Sequence, residues 1–160
     1  MSALDHGRLL DEIGLSLLQA LQQNARLSYT ELGRQVGLSA PAVGERVRRL
    51  EEAGIISGYH ASVDPAALGL TITAFIRLST AGERGDTARL NALLLDLPEV
   101  IECHGITGTD SYIFKVVVAS VPHLGRLIAQ LAPFGQLNTS IVLGTYVAGR
   151  ALSPEHAQPR

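Results

Sequence analysis

The sequence predicts an α+β chain in two parts: an N-terminal helix-turn-helix of winged-helix-like type, and a C-terminal β-α-β-β-α-β domain of ferredoxin-like class. Two observations predict it. The apolar residues recur at steps of three and four up to Gly54 and alternate after it, and capping and turn residues divide both halves at element-sized intervals. The 160 residues are 46% apolar and 18% charged, enough to bury cores and too few charges for a disordered chain. Cys103 is the single cysteine, which excludes an internal disulfide and a cysteine-rich zinc cage. Met1 to Glu12 lacks the apolar run of a signal peptide. The uncharged run from Leu127 to Gly149 contains Pro133, Gln136, Asn138, Thr139 and Ser140, whose polar groups would be unpaired in lipid. A soluble, cytoplasmic protein without a membrane partner is expected.

Leu10, Ile13, Leu17 and Leu21 stack on one face of a first helix. Ser28-Tyr-Thr-Glu31 matches a capping box that opens a second, short helix, with Leu32 and Val36 buried and Gly37 at its end. Ser39 caps a third helix, Pro41 sits in its first turn, and Val43, Val47 and Leu50 form its apolar stripe. Beyond Gly54, Ile55 to Val63 is strand-like, and Asp64-Pro65 marks a turn. Strands are expected at Leu70 to Ser79, Val100 to Thr107, Tyr112 to Ala119 and Ser140 to Val147. Helices are expected at Thr87 to Leu97 and Val121 to Leu131. The expected domain boundaries are 1–60 for the helix-turn-helix, 61–67 for a linker, 68–150 for the second domain and 151–160 for a flexible tail.

Two short helices joined across Gly37-Leu38-Ser39 fit a motif whose second helix enters the major groove of double-stranded DNA. On the third helix Ala42, Arg46 and Arg49 lie opposite the apolar stripe, with Arg48 alongside. Ser39, Ala40, Pro41 and Ala42 would let the helix start approach base edges, and arginine can fork onto guanine or grip phosphate. Ser28, Tyr29 and Thr30 open the preceding helix, where backbone phosphate can be bound. The competing reading is an ordinary solvated face, since Glu45 is spaced to pair with Arg48 and Arg49. Charge does not decide between them: Met1 to Ser62 holds six Arg against seven Asp plus Glu, so any positive field must be gathered on one face.

The run Leu38-Ser-Ala-Pro-Ala-Val-Gly-Glu-Arg-Val-Arg-Arg-Leu-Glu-Glu-Ala-Gly-Ile-Ile56, followed by Gly58-Tyr59, resembles the helix-turn-helix signature of the leucine-responsive/asparagine regulator (Lrp/AsnC) family. The resemblance covers nearly the whole chain. It departs at Gly14, where the family often has a second Asp three residues after Asp11, and at Gly44, where Ala or a larger apolar residue is commoner. It implies a sequence-specific transcription regulator that binds a small amino acid or related metabolite between paired ligand domains. A homodimer assembling to a tetramer or octamer follows from the same resemblance. A zwitterionic effector needs donors for a carboxylate and an acceptor for an ammonium. Gly108, Thr109, Asp110, Ser111 and Tyr112, with Gln136, Leu137, Asn138, Thr139 and Ser140, are the candidates, Asp110 being the acceptor. A plain hairpin turn would use the same Gly-Thr-Asp-Ser.

Glu102, Cys103 and His104 form a triplet with Glu102 and His104 on one strand face. A metal would need a third ligand, so packing is the expected role, and no metal or cofactor is expected. His60 and His123 stand alone in the sequence. A tetrapyrrole-decarboxylating branch shares this architecture and could recruit His60 and His104. The third-helix arginines argue for a regulator and against an enzyme.

Overall fold

The computed structural model describes residues 8–80 and 85–154; residues 1–7 and the end of the expected tail, 155–160, lie outside them. Two compact units result. One spans Ser62–Tyr146, and the other takes the chain up to Ala61 and again from Val147.

The first unit is built on three helices, α1 (Glu12–Gln23), α2 (Tyr29–Val36) and α3 (Ala40–Glu52). Each begins on a side chain that satisfies an orphan N–H. Asp11 accepts from the Gly14 amide at 2.8 Å, and Ser28 and Glu31 close a complete capping box. Ser39 accepts from the Ala42 amide at 3.4 Å, with Pro41 in the first turn as expected. The apolar faces converge: Leu17, Ala20, Leu21, Leu32, Val43 and Val47 form the core, with Ile13, Leu27, Val36, Leu38 and Ile56 packed around it. Burying each large aliphatic side chain stabilises the unit by about 1.5–3 kcal/mol. The expected strand from Ile55 to Val63 does not form. Ile55 and Ile56 instead donate back to the Leu50 carbonyl, at 3.0 and 3.1 Å, and Ile56 joins the core. The chain beyond Val147 returns to this unit, where the Gln22 side-chain amide bonds the Leu152 N–H at 2.8 Å and its carbonyl at 3.0 Å.

The second unit contains the expected β-α-β-β-α-β order: β1 (Ile72–Ser79), α4 (Gly85–Leu95), β2 (Val100–Gly105), β3 (Tyr112–Val118), α5 (Val121–Leu131) and β4 (Gln136–Ile141). The four strands form one antiparallel sheet in the order β2-β3-β1-β4. Alternation sends Ala74, Ile76 and Leu78 of β1 and Phe114, Val116 and Val118 of β3 into a core with Leu90, Leu97, Leu124, Leu127, Leu131 and Phe134. Phe75 and Arg77 point to the other face, which no described helix of this unit covers. The last strand begins four residues earlier than the sequence suggests. The apolar run Val142 to Val147 looked more strand-like than Gln136 to Ser140, yet Leu143 and Tyr146 are almost wholly exposed. Register decides the difference. Gln136 to Ile141 pairs residue by residue with Ser79 to Ala74, and Gly135 makes the crossing possible. Its φ is 150°, and a Cβ there would lie 2.2 Å from the Ser79 carbonyl oxygen.

Candidate DNA-binding and effector sites

On α3 the three arginines have three different situations. Arg46 turns toward α1 and donates through both terminal nitrogens to the Asp11 carboxylate, each at 2.6 Å. This bidentate pair holds the Asp11 carboxyl at a pKa of about 2, with the Gly14 amide adding to the effect. Arg48 is tied through all three nitrogens: Nε and Nη2 reach the two Glu45 oxygens at 3.0 and 2.8 Å, and Nη1 bonds Glu52. Arg49 gives only its Nε, to Glu45 Oε1 at 2.7 Å. Among the described residues neither Nη group of Arg49 has a hydrogen-bond partner, and the side chain is 59% exposed. Glu45 accepts from two guanidinium groups, Arg48 first and Arg49 second, and its pKa falls to about 2. The gathered positive field expected of this face is therefore balanced by carboxylates, Glu45 and Glu52 of α3 and Asp11 at the start of α1, which meet Arg46, Arg48 and Arg49.

The remaining sequence candidates are placed around the same helix start. Ser39, Ala40, Pro41 and Ala42 occupy the cap and first turn of α3. The Ser28 hydroxyl is fully engaged, donating to Glu31 Oε2 at 2.6 Å and accepting from the Glu31 amide at 3.2 Å. Tyr29 and Thr30 follow it in the first turn of α2, both exposed. Gly44 has a role the sequence left open: a Cβ there would meet the Tyr29 ring at 3.1 Å, so the ring of α2 lies against the α3 backbone. Gly14 is tighter still. A Cβ would stand 1.9 Å from the Leu9 carbonyl oxygen, so the backbone as it runs here leaves no room for a side chain.

In the second unit the two candidate effector segments are brought together, and the residue that joins them is one that sequence reasoning missed. Arg77 of β1 donates through Nη2 to Asn138 Oδ1 at 2.9 Å and lies 3.9 Å from Asp110 Oδ2 through Nη1. It sits on the uncovered face in one cross-strand row with His104, Ile113 and Asn138. Gln136 to Thr139 are strand residues, which corrects the expectation that the last strand begins only at Ser140. Asn138 reaches the site because alternation puts it on the Arg77 face, while Leu137 packs on the core.

The turn itself is rigidly tied to β1. The Ser111 amide donates to the Leu78 carbonyl at 2.8 Å, its hydroxyl bonds Thr80 Oγ1 at 2.8 Å, and Ser79 Oγ donates to the Thr109 carbonyl at 2.8 Å. Gly108 takes φ 117° to make the turn. Tyr112 stacks on Phe114 with centroids 6.3 Å apart, its hydroxyl 3.4 Å from Thr87 Oγ1. The turn thus leaves Asp110 as the carboxylate beside the Arg77 guanidinium.

Glu102 and His104 do share a strand face, at 3.5 Å, and Lys115 closes on Glu102 at 2.8 Å. Burial pushes the Cys103 thiol up. Among the described residues no three His, Cys, Asp or Glu side chains come together for a metal. His123 does not stand alone: its Nε2 is 2.7 Å from Glu99 Oε1, and its Nδ1 accepts from the Ala119 amide at 3.4 Å. That pairing holds the Glu99 carboxyl below the usual range.

A helix-turn-helix unit joined to a β-α-β-β-α-β unit with a polar cluster on one sheet face is the arrangement of a two-domain DNA-binding regulator. The AsnC-type helix-turn-helix domain matches residues 10–51, and the Lrp/AsnC ligand binding domain matches residues 73–152. The chain belongs to the Lrp/AsnC family of DNA-binding transcriptional regulators. It is 40% identical over 136 residues to the uncharacterized HTH-type transcriptional regulator YezC of Bacillus subtilis, covering 85% of this chain and 95% of that one. A transcriptional regulator of Neisseria meningitidis, solved as a complex with L-Met, superposes with a TM-score of 0.86 at 28% identity, over 93% of this chain and 99% of that one. The feast or famine regulatory protein of Mycobacterium tuberculosis, complexed with L-methionine, gives a TM-score of 0.79 at 33% identity, over 88% and 97%. The matched domains and relatives are those of regulators and not of enzymes.

Proposed function

We propose that this regulator reads duplex DNA with the start and exposed face of α3 and is modulated by a small amino acid bound around Arg77. The observation that carries the effector reading is the Arg77 bridge, which joins the acid of the turn, Asp110, to the amide of β4, Asn138. A zwitterion fits this arrangement: its ammonium is accepted by Asp110, and its carboxylate finds the guanidinium and, on the same sheet face, the hydroxyl of Ser140. The L-methionine bound by two structural neighbours supports an amino acid as the class of effector.

For DNA, Ser39, Ala40, Pro41 and Ala42 approach the groove, Tyr29 and Thr30 face phosphate, and Arg46 serves by fixing α3 against α1. Domain limits at 1–60 and 68–150, with a linker at 61–67 and a tail at 151–160, remain part of this reading. So does a homodimer, assembling to a tetramer or octamer, in which the uncovered sheet face with Phe75 and Arg77 is buried. A cytoplasmic location suits a DNA-binding protein, and among the described residues no helix is long and apolar enough to cross a membrane.

The test is fluorescence anisotropy on the DNA upstream of the protein's own gene against random duplex, at two salt concentrations, with and without L-methionine and a mixed amino-acid pool. Preferential, salt-sensitive binding that an amino acid shifts is expected. Equal affinity for both duplexes overturns the DNA reading, and preferential binding unmoved by any amino acid overturns the effector reading alone.

A further inference from the structure

We infer that Arg49 and Glu45 act as one unit that reads a single G·C pair, with Arg49 the base-contacting residue and Glu45 its positioning residue. The inference rests on the DNA reading above and separates residues that this reading leaves equivalent. Reading guanine requires two guanidinium donors directed at O6 and N7, from a side chain held in plane. Arg46 turns its end-on fork, Nη1 with Nη2, onto the two oxygens of Asp11 and so away from a base. Arg48 is held on both edges, with Nε and Nη2 on Glu45 and Nη1 on Glu52, and so is the most restrained of the three. Arg49 alone of the three is anchored through Nε, at 2.7 Å, and keeps both terminal nitrogens without a partner among the described residues. An anchor at Nε fixes the plane of the fork and leaves its outer edge for the base, so less rotamer freedom is lost on binding.

Glu45 has a second effect. It stands four residues before Arg49 and three after Ala42, on the face that carries the small residues of the helix start. A carboxylate there repels phosphate and so weakens sequence-independent binding. On the matching base pair, Arg49 gains two acceptors without leaving Glu45. On other pairs the fork meets a donor or a methyl group, and nothing repays the desolvation of the carboxylate.

The experiment is selection of bound duplexes from a random pool by the full-length protein, wild type and the variants Arg49→Ala, Arg49→Lys, Arg48→Ala and Glu45→Ala. Circular dichroism melts verify that each variant is folded; all three positions are exposed or half-exposed, so folding should be retained. Wild type should select a site with a fixed G·C pair in each half. Arg49→Ala and Arg49→Lys should lose the preference at that pair by roughly tenfold to a hundredfold while other positions persist. Arg48→Ala should keep the whole pattern. Glu45→Ala should flatten the same pair and raise affinity for random duplex. An unchanged pattern in Arg49→Ala, or loss of the pair in Arg48→Ala, overturns the inference and leaves the DNA reading standing. A wild type that selects no sequence overturns both.

Discussion

Arg46 and Asp11, thirty-five residues apart, form a two-pronged ion pair in which each guanidinium terminal nitrogen meets one carboxylate oxygen at 2.6 Å. Asp11 is at the same time the N-cap of α1, so one carboxylate fixes both the start of the first helix and the orientation of the third. A residue on the solvent side of α3 is thereby a structural strut. Replacing Arg46 with Ala should destabilise the first unit by about 1 kcal/mol, the value of a well-oriented but half-exposed pair. Asp11→Ala should cost more, because the cap is lost as well, by about another 1 kcal/mol. A double-mutant cycle by thermal melting measures the coupling; additivity of the two substitutions would show that the pair contributes nothing.

The same pair sets a pH dependence. Asp11 is held at about 2, below its ordinary value of 3.8, so the folded state binds the proton less tightly than the unfolded chain does. Its contribution is therefore fully present above about pH 4 and is lost as the pH falls through the folded value near 2. With the carboxylate 42% exposed, solvent screening reduces that contribution to about 1 kcal/mol. Urea unfolding of wild type and Asp11→Asn between pH 5 and pH 2, followed on the first unit, should show the two converging as the pH falls. Parallel curves would remove Asp11 from the account.

Two glycines on the helices of the first unit should respond differently to alanine. At Gly14 the new methyl group would lie 1.9 Å from the backbone oxygen of Leu9, which cannot move without unwinding the entry to α1. Gly14→Ala should destabilise by about 1–3 kcal/mol. At Gly44 the neighbour is the ring of Tyr29, 46% exposed and free to swing by the few tenths of an ångström required. The helix gains about 1 kcal/mol from Ala over Gly, which offsets the disturbed ring contact. Gly44→Ala should melt close to wild type; a loss as large as that of Gly14→Ala would make the Tyr29 contact a fixed one.

The difference between what was legible in the sequence and what was not follows the range of the interactions. Caps and stripes are local, and Ser28, Glu31, Ser39 and the Val43-Val47-Leu50 face stand where the sequence puts them. Glu45 with Arg48 and Arg49 was legible as an alternative, because their spacing alone makes them neighbours. Asp11 with Arg46, Gln22 with Leu152, and Glu99 with His123 depend on how distant segments pack, and no local pattern announces them. The last strand was misplaced for the same reason. Its identity comes from pairing with β1 and not from its own apolar content, which is higher in the exposed stretch that follows it. Arg77 was missed as a site residue because a charged residue on an alternating strand reads as ordinary solvent-facing polarity. Only the sheet register shows that it faces Asn138, while its side chain also approaches Asp110.

Arg77 also yields the sharpest test of the proposed effector site. Its guanidinium has one full hydrogen bond, to Asn138, and stands just beyond hydrogen-bond range of Asp110, so it has donors to spare for a ligand carboxylate. The backbone ties of the turn, from Ser111 to Leu78 and from Ser79 to Thr109, do not involve it. Arg77→Leu should therefore preserve the fold of the second unit while weakening L-methionine binding, measured by calorimetry, by roughly tenfold or more, the loss of one hydrogen bond to a charged group. Asp110→Asn should weaken it comparably by removing the ammonium's partner. DNA affinity without the amino acid should stay at the wild-type level in both, because α3 is untouched. If L-methionine binds wild type and both variants equally, the effector lies elsewhere and the cluster is a turn brace. If the variants lose effector binding and unliganded DNA affinity together, Arg77 acts through assembly of the protein and not through the ligand.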